Sequence, residues 1–235
     1  MPRRSASNLG VGLATLVAPS AALAATPVPV GLWNMDNTFG TTMIDYSGNA
    51  NDGQTTDIVT SGGGYIFNGT TSKAIVPDSP SLNPGTQDFS YSVQIQTDQV
   101  PPSGGDYDLL RKGLSATPGG EFKVELIRSD GKAKAFCYIK DSRGKEAGLT
   151  GKTDLADNLL HTITCARTGT TMTLKVDSLS ALKKTGISVK SISNAASLIV
   201  GSKSTTGEGP IDNDAYSGLM RNATVSIAPA PPPTP

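Results

Sequence analysis

Between Val30 and Gly53 the chain reads VGLWNMDNTFGTTMIDYSGNANDG. A short apolar run (Val30, Leu32, Trp33, Met35) leads into Asp36, and Asn37, Thr38, Thr41, Thr42, Asp45, Ser47, Asn49, Asn51 and Asp52 then crowd one Gly-rich loop. Carboxylates, amides and backbone carbonyls gathered at the end of a strand make the oxygen shell that a hard cation such as calcium takes. The same residue types also close tight turns on themselves, because their side chains bond to their own backbone. The sequence leaves both readings open.

Other chemistry is sparse. His161 is the one histidine, so a zinc site built from histidines or a mechanism needing two of them is excluded. It stands near no serine or cysteine nucleophile motif and reads as a structural histidine with satisfied partners. Sugar recognition needs aromatic faces that stack on pyranose rings, with polar groups to orient hydroxyls. Aromatics make up only 5% of the chain, and Trp33 alternates with Gly31 and Met35, which turns it toward a core. Tyr46, Tyr107 and Tyr216, in or beside loops, are the ligand-binding candidates.

The surroundings bound what such residues can do. The 235 residues hold 20 basic and 20 acidic side chains, a balance that makes no electrostatic case for a nucleic-acid surface, which normally carries a clustered basic face. Arg3 and Arg4, the apolar run Leu9–Val17 and Ala22-Leu23-Ala24 have the order of a cleaved secretory leader over residues 1–25. The run is too short to span a bilayer, and no other stretch is long and apolar enough. An extracellular, secreted protein is expected. In that oxidising compartment Cys137 and Cys165 are expected to pair, each from a strand-like run (AFCYIK and TITCAR) on adjacent strands. Two buried free thiols are the alternative.

Strand signals dominate from residue 26 to 228. Phe89, Tyr91, Val93 and Ile95 alternate with polar residues, as do Phe122, Val124 and Leu126, giving period-two strands with one buried face. Hairpins are expected at Asn68-Gly69-Thr70-Thr71, joining Tyr65–Phe67 to Ala74–Val76, at Ser129-Asp130-Gly131-Lys132, and at Arg167–Thr170. Only Thr153–Leu160 and Ser178–Thr185 are candidates for helix. About a dozen short strands and no internal repeat predict an all-β, two-sheet antiparallel sandwich of the jelly-roll kind. Residues 229–235, PAPPPTP, form an extended polyproline tail.

Four segments in order resemble the laminin-G-like, concanavalin-A-like jelly-roll domains of secreted bacterial proteins. They are GLWNMDNTFGTTMIDYSGNANDG, YIFNGTTSKAIVPDSPSLNPGTQDFSYSVQIQ, LADNLLHTITCARTGTTMTLKVDS and YSGLMRNATVSI. The resemblance implies a sandwich with one structural calcium between the first loop and the last strand, which makes Asp36, Asp45 and Asn49 the candidate ligands. One departure weakens that site: where the family closes on an acidic pair, this chain has Met220-Arg221-Asn222. Relatives with glycosidase activity carry Glu-x-Asp-x-x-Glu on one strand. Glu121 and Glu125 are spaced differently and read as solvated strand-face residues, so no catalytic residue is expected. The expected function is a non-catalytic, monomeric binding module that recognises an extracellular glycan or protein through its edge loops. A structural or adhesive envelope domain with protein partners is the alternative.

Overall fold

The computed structural model describes residues 1, 25–37, 40–203 and 214–230. The leader expected over 1–25 and the tail at 229–235 fall almost wholly outside the described residues, as do Thr38 and most of the Ser202–Asp214 loop. Sixteen strands run through the described residues. The first six are β1 (Val28–Trp33), β2 (Thr42–Met43), β3 (Gly53–Thr56), β4 (Val59–Ser61), β5 (Gly64–Asn68) and β6 (Lys73–Val76). The next five are β7 (Phe89–Gln96), β8 (Asp106–Lys112), β9 (Gly120–Ser129), β10 (Lys132–Asp141) and β11 (Glu146–Thr150). The last five are β12 (His161–Thr168), β13 (Thr171–Val176), β14 (Leu182–Lys184), β15 (Leu198–Val200) and β16 (Ser217–Ile227).

They form two antiparallel sheets. The first has the order β14-β13-β12-β7-β16-β5-β4, with β1 also paired to β16. The second has the order β11-β10-β9-β8-β15-β6-β3-β2. The predicted all-β sandwich is the observed fold. Its core is the set of inward residues that the alternation marks: Phe89, Tyr91, Val93 and Ile95 of β7 face Phe122, Val124 and Leu126 of β9, all buried. The Phe122 ring lies 5.6 Å from Phe89 and 5.2 Å from Tyr91, so this aromatic contact joins the two sheets. Each large apolar side chain so buried contributes about 1.5–3 kcal/mol. Trp33 is fully buried, and its indole N–H donates to the Asn51 carbonyl at 2.8 Å.

The cysteines are paired, though not on neighbouring strands. Cys137 is on β10 of the second sheet and Cys165 on β12 of the first, so the bridge crosses the sandwich, with 5.7 Å between Cα atoms. Both are inward positions of their alternation, and inward side chains of one sheet meet those of the other rather than those of the adjacent strand.

Two further expectations are corrected. The Asn68–Thr71 turn does not close a hairpin: β5 lies in the first sheet and β6 in the second, so the turn is an arch between them. Asn68 Oδ1 accepts from the backbone N–H groups of Thr70, Thr71 and Ser72, which holds the arch without any strand pairing across it. The hairpin instead forms one turn earlier, where β4 and β5 meet around Gly62-Gly63. Neither helix candidate is helical. Thr153–Leu160 is loop, and Ser178–Thr185 contains β14. Segments of about eight residues cannot hold a helix without a packed face, and Leu159 and Leu160 are exposed.

Replacing Cys137 and Cys165 together by serine should cost about 3–4 kcal/mol, the chain-entropy value for a closed loop of this length. Urea unfolding of the variant and the wild-type protein measures the difference, and the wild-type protein with reductant should reproduce most of it.

Candidate functional site

The first loop folds onto itself around Asp45. Oδ1 accepts from the N–H groups of Leu32 (2.9 Å) and Ser47 (2.8 Å). Oδ2 accepts from the Ser47 hydroxyl (2.8 Å) and the Asn51 N–H (2.9 Å). Four donors use the acceptor capacity of an ionised carboxylate. Burial by itself would raise the pKa of Asp45, but these bonds outweigh it and hold the carboxyl below its ordinary value. Asn49 is exposed, with its amide on the Ser47 hydroxyl, and Asn51 reaches the Val30 carbonyl and Ser81 instead. The Asp45 carboxylate is thus engaged by the turn, while Asp36 and Asn49 stand exposed.

Of the three tyrosines, Tyr46 is half exposed at this loop. Tyr107 and Tyr216 are not available to a ligand. Tyr216 is fully buried and donates to the Gln96 and Leu219 carbonyls, and Tyr107 packs edge-on against it at 6.0 Å. Chain position beside a loop did not reveal that both rings turn inward.

The densest chemistry lies on the outer face of the second sheet, across β8, β9 and β10. Cross-strand register sets Arg111 beside Lys123 and Lys123 beside Tyr138, with Asp108 beside Glu125 and Glu125 beside Phe136. Inward alternation of Phe122, Val124 and Leu126 forces Glu121, Lys123 and Glu125 onto this face. On β8 a bulge between Asp108 and Leu110 adds one residue, which brings Asp108 and Arg111 to the same side although they are three apart. The Arg111 guanidinium donates to Asp108 Oδ2 at 2.7 Å, to Glu121 Oε2 at 3.2 Å and to the Gly113 carbonyl at 3.1 Å. Lys123 pairs with Glu125 and lies over the Tyr138 ring, 5.6 Å from its centre. Glu121 and Glu125 are thus not solvated: they are 2% and 1% exposed, held by cations.

Phe136 and Tyr138, two apart on β10, are partly buried and stack side by side with centroids 6.0 Å apart and planes 30° apart. With Arg111, Ser115, Glu121 and Lys123 they line an open cleft of about 350 Å³, and Lys203 stands at its wall. These aromatics were legible in principle: KAKAFCYIK alternates, and Ala133, Ala135, Cys137 and Ile139 claim the core side.

At one end of this face Asp106, Asp108 and Asp214 bring carboxylate oxygens within 4.8 Å of one another. Burial, then the charges of Asp108 and Asp214, push Asp106 up to about 6. Burial also drives Asp108 well above the carboxylate range, against the pull of Arg111 and with further push from Glu125.

His161 has both ring nitrogens engaged, Nδ1 with Asp177 Oδ2 at 2.8 Å and Nε2 with Asp157 Oδ1 at 2.9 Å. Only the imidazolium can donate to both carboxylates. Burial disfavours that charge, but Asp177 and Asp157 prevail and raise the pKa above its ordinary value. The histidine anchors the loop 157–160 to β12 and β13.

No protein-family model matches this chain, and no curated protein does. Solved structures match it as folds. Domain 4 of AbnA, an extracellular arabinanase of Geobacillus stearothermophilus solved with arabinotriose, superposes with a TM-score of 0.59 at 14% identity, covering 86% of this chain and 93% of that one. The binding domain of botulinum neurotoxin DC, solved in complex with SialylT, gives 0.58 at 12%, covering 87% and 48%. A Trypanosoma rangeli sialidase mutant with trans-sialidase activity gives 0.51 at 16%, covering 85% and 31%. The chain thus spans nearly all of the arabinanase domain but only about half of the toxin binding domains it matches. The likeness is one of fold, that of an antiparallel β-sandwich domain.

Two substitutions check these assignments. Asp45→Asn should destabilise the protein by about 1–3 kcal/mol at pH 7, since buried N–H groups lose their acceptor. Because the folded-state pKa of Asp45 is depressed, its contribution is complete above the unfolded value near 4 and fades as pH falls through the folded one. The gap between variant and wild type should therefore narrow in urea titrations carried below that value. His161 has the opposite sign. Its stabilisation is complete below about pH 6.5 and is lost as pH rises through the raised folded-state value. The difference in melting temperature between wild type and His161→Gln should be larger at pH 5.5 than at pH 8.5.

Proposed function

We propose that the protein is a secreted, non-catalytic module that binds an extracellular carbohydrate on the outer face of its second sheet. The observation that carries this reading is the partly buried Phe136–Tyr138 pair at the wall of a cleft lined by Arg111, Glu121 and Lys123. A sugar ring offers an apolar C–H face and a rim of hydroxyls. Stacked rings beside fixed donors and acceptors complement both. The carboxylates of this face serve as ion-pair partners of Arg111 and Lys123, and the pairs hold the polar groups in place without a ligand.

The carbohydrate ligands of fold neighbours support the substrate class. The leader-like N-terminus and the disulfide support an extracellular location, and among the described residues no helix is long and apolar enough to cross a membrane. The sheet face replaces the edge loops as the favoured surface, since Tyr46 is the one loop tyrosine of the three that stays exposed.

The test is a glycan array with the full chain, followed by calorimetry on the best polysaccharide. Phe136→Ala and Tyr138→Ala should each weaken binding roughly three- to tenfold, the worth of one stacking contact, while Tyr46→Ala leaves it unchanged. Retention on no polysaccharide would overturn the carbohydrate reading in favour of a module with protein partners.

A further inference from the structure

We propose that Asp106, Asp108 and Asp214 form a binding site for one divalent cation of the calcium type, at the start of β8 and the approach to β16. The site is independent of the carbohydrate reading and distinct from the first loop.

Three observations converge. The first is geometric: the three carboxylates present oxygens within 4.8 Å of one another. Oxygens that share a calcium shell at 2.3–2.6 Å can lie no further than about 5 Å apart. The arrangement is fixed by the backbone, since the Asp108 N–H donates to the Asp214 carbonyl at 2.9 Å and Asp108 bridges to Ala215. The Asp106 N–H points to Asp214 Oδ1 at 3.5 Å, a weak bond that leaves that oxygen acceptor capacity.

The second observation concerns partners. Asp108 is fully buried, and its Oδ1 has no hydrogen-bond donor; Asp106 Oδ1 is likewise shut off from solvent and unpaired. By contrast Asp108 Oδ2 is taken by Arg111 and Asp214 Oδ2 by Lys203 at 2.6 Å. Asp108 and Asp214 thus each have one oxygen satisfied by protein, and the orphaned oxygens of Asp106 and Asp108 remain. Buried carboxylate oxygens without donors are costly, and a hard cation is the ligand that satisfies several at once.

The third is charge. Among the described residues the face carries five interacting carboxylates (Asp106, Asp108, Glu121, Glu125, Asp214) and three cations (Arg111, Lys123, Lys203). Counted in their ionised forms the carboxylates exceed the cations by two, and a bound divalent ion would favour those ionised forms against the burial that raises Asp106 and Asp108. An all-carboxylate protein shell suits calcium better than magnesium, which keeps most of its waters.

The test uses the full chain stripped with chelator. Calorimetry with calcium chloride should show about one ion per chain, with a dissociation constant on the order of 10⁻⁴–10⁻³ M, as extracellular modules have, and a raised melting temperature. Asp106→Asn and Asp214→Asn should each weaken binding at least tenfold, while Asp36→Asn leaves it unchanged. Terbium emission sensitised by Tyr107, which lies between two of the ligands, reads the site in the wild-type chain should a variant fail to fold. The proposal is overturned by absence of binding heat, of terbium emission and of a melting shift with calcium, or by binding that Asp36→Asn abolishes while the two other variants retain it.

Discussion

Burial of one alternating set of side chains between two sheets is the constraint on which the rest of the molecule depends. Phe89, Tyr91 and Val93 from one sheet and Phe122, Val124 and Leu126 from the other must face each other, and the strands have a strict period of two. Whatever stands between those residues is therefore committed to the outside. Glu121, Lys123, Glu125, Phe136 and Tyr138 reach the outer face because their neighbours are needed in the core. A slip of one residue in β9 or β10 would exchange the two sets, so core and outer face are specified by a single register. The disulfide crosses between the sheets on these same inward positions and pins that register from both sides.

The outer face carries its own electrostatic constraint. Arg111, Asp108, Glu121 and Glu125 are almost completely removed from water, which is costly for each charge alone. The planar guanidinium of Arg111 addresses two carboxylates and a carbonyl together, a geometry that lysine could not reproduce. Such a network contributes little net stability compared with an apolar patch of equal size. It does hold charged groups in fixed positions without requiring them to reorganise when something binds.

Much of the fold is legible in the chain. Alternation located the strands β7 and β9, the Asp130-Gly131 turn located the hairpin that joins β9 to β10, and Gly31-Leu32-Trp33 announced an inward indole. Pairing between elements was less legible. Asn68-Gly69 has the signature of a hairpin, yet the flanking residues Phe67 and Ala74 belong to different sheets, a choice made by sheet packing and not by the turn. The site was obscured for a related reason. Asp108 and Arg111 are three apart, a spacing that places residues on opposite faces of a regular strand, and only the bulge at Leu109 reunites them. Asp214 joins Asp106 across more than a hundred residues, which no local pattern encodes. The oxygen-rich loop drew notice for its composition, but Asp45 spends that composition on its own backbone.

The last strand has a further consequence. β16 pairs with β7 along one edge, and along the other with β5 at its start and β1 at its end. The first strand of the sandwich thus finds its partner only in the last, so the first sheet cannot be completed until the whole chain is present. Closure of so long a loop is slow, and folds rich in distant pairings mature over milliseconds to seconds. The segment from Cys137 to Cys165, by contrast, encloses only the β10–β11 hairpin and the turn into β12, and can be staked out early. The sandwich therefore stays unfinished until its final strand is available, and then has a covalent scaffold on which to close.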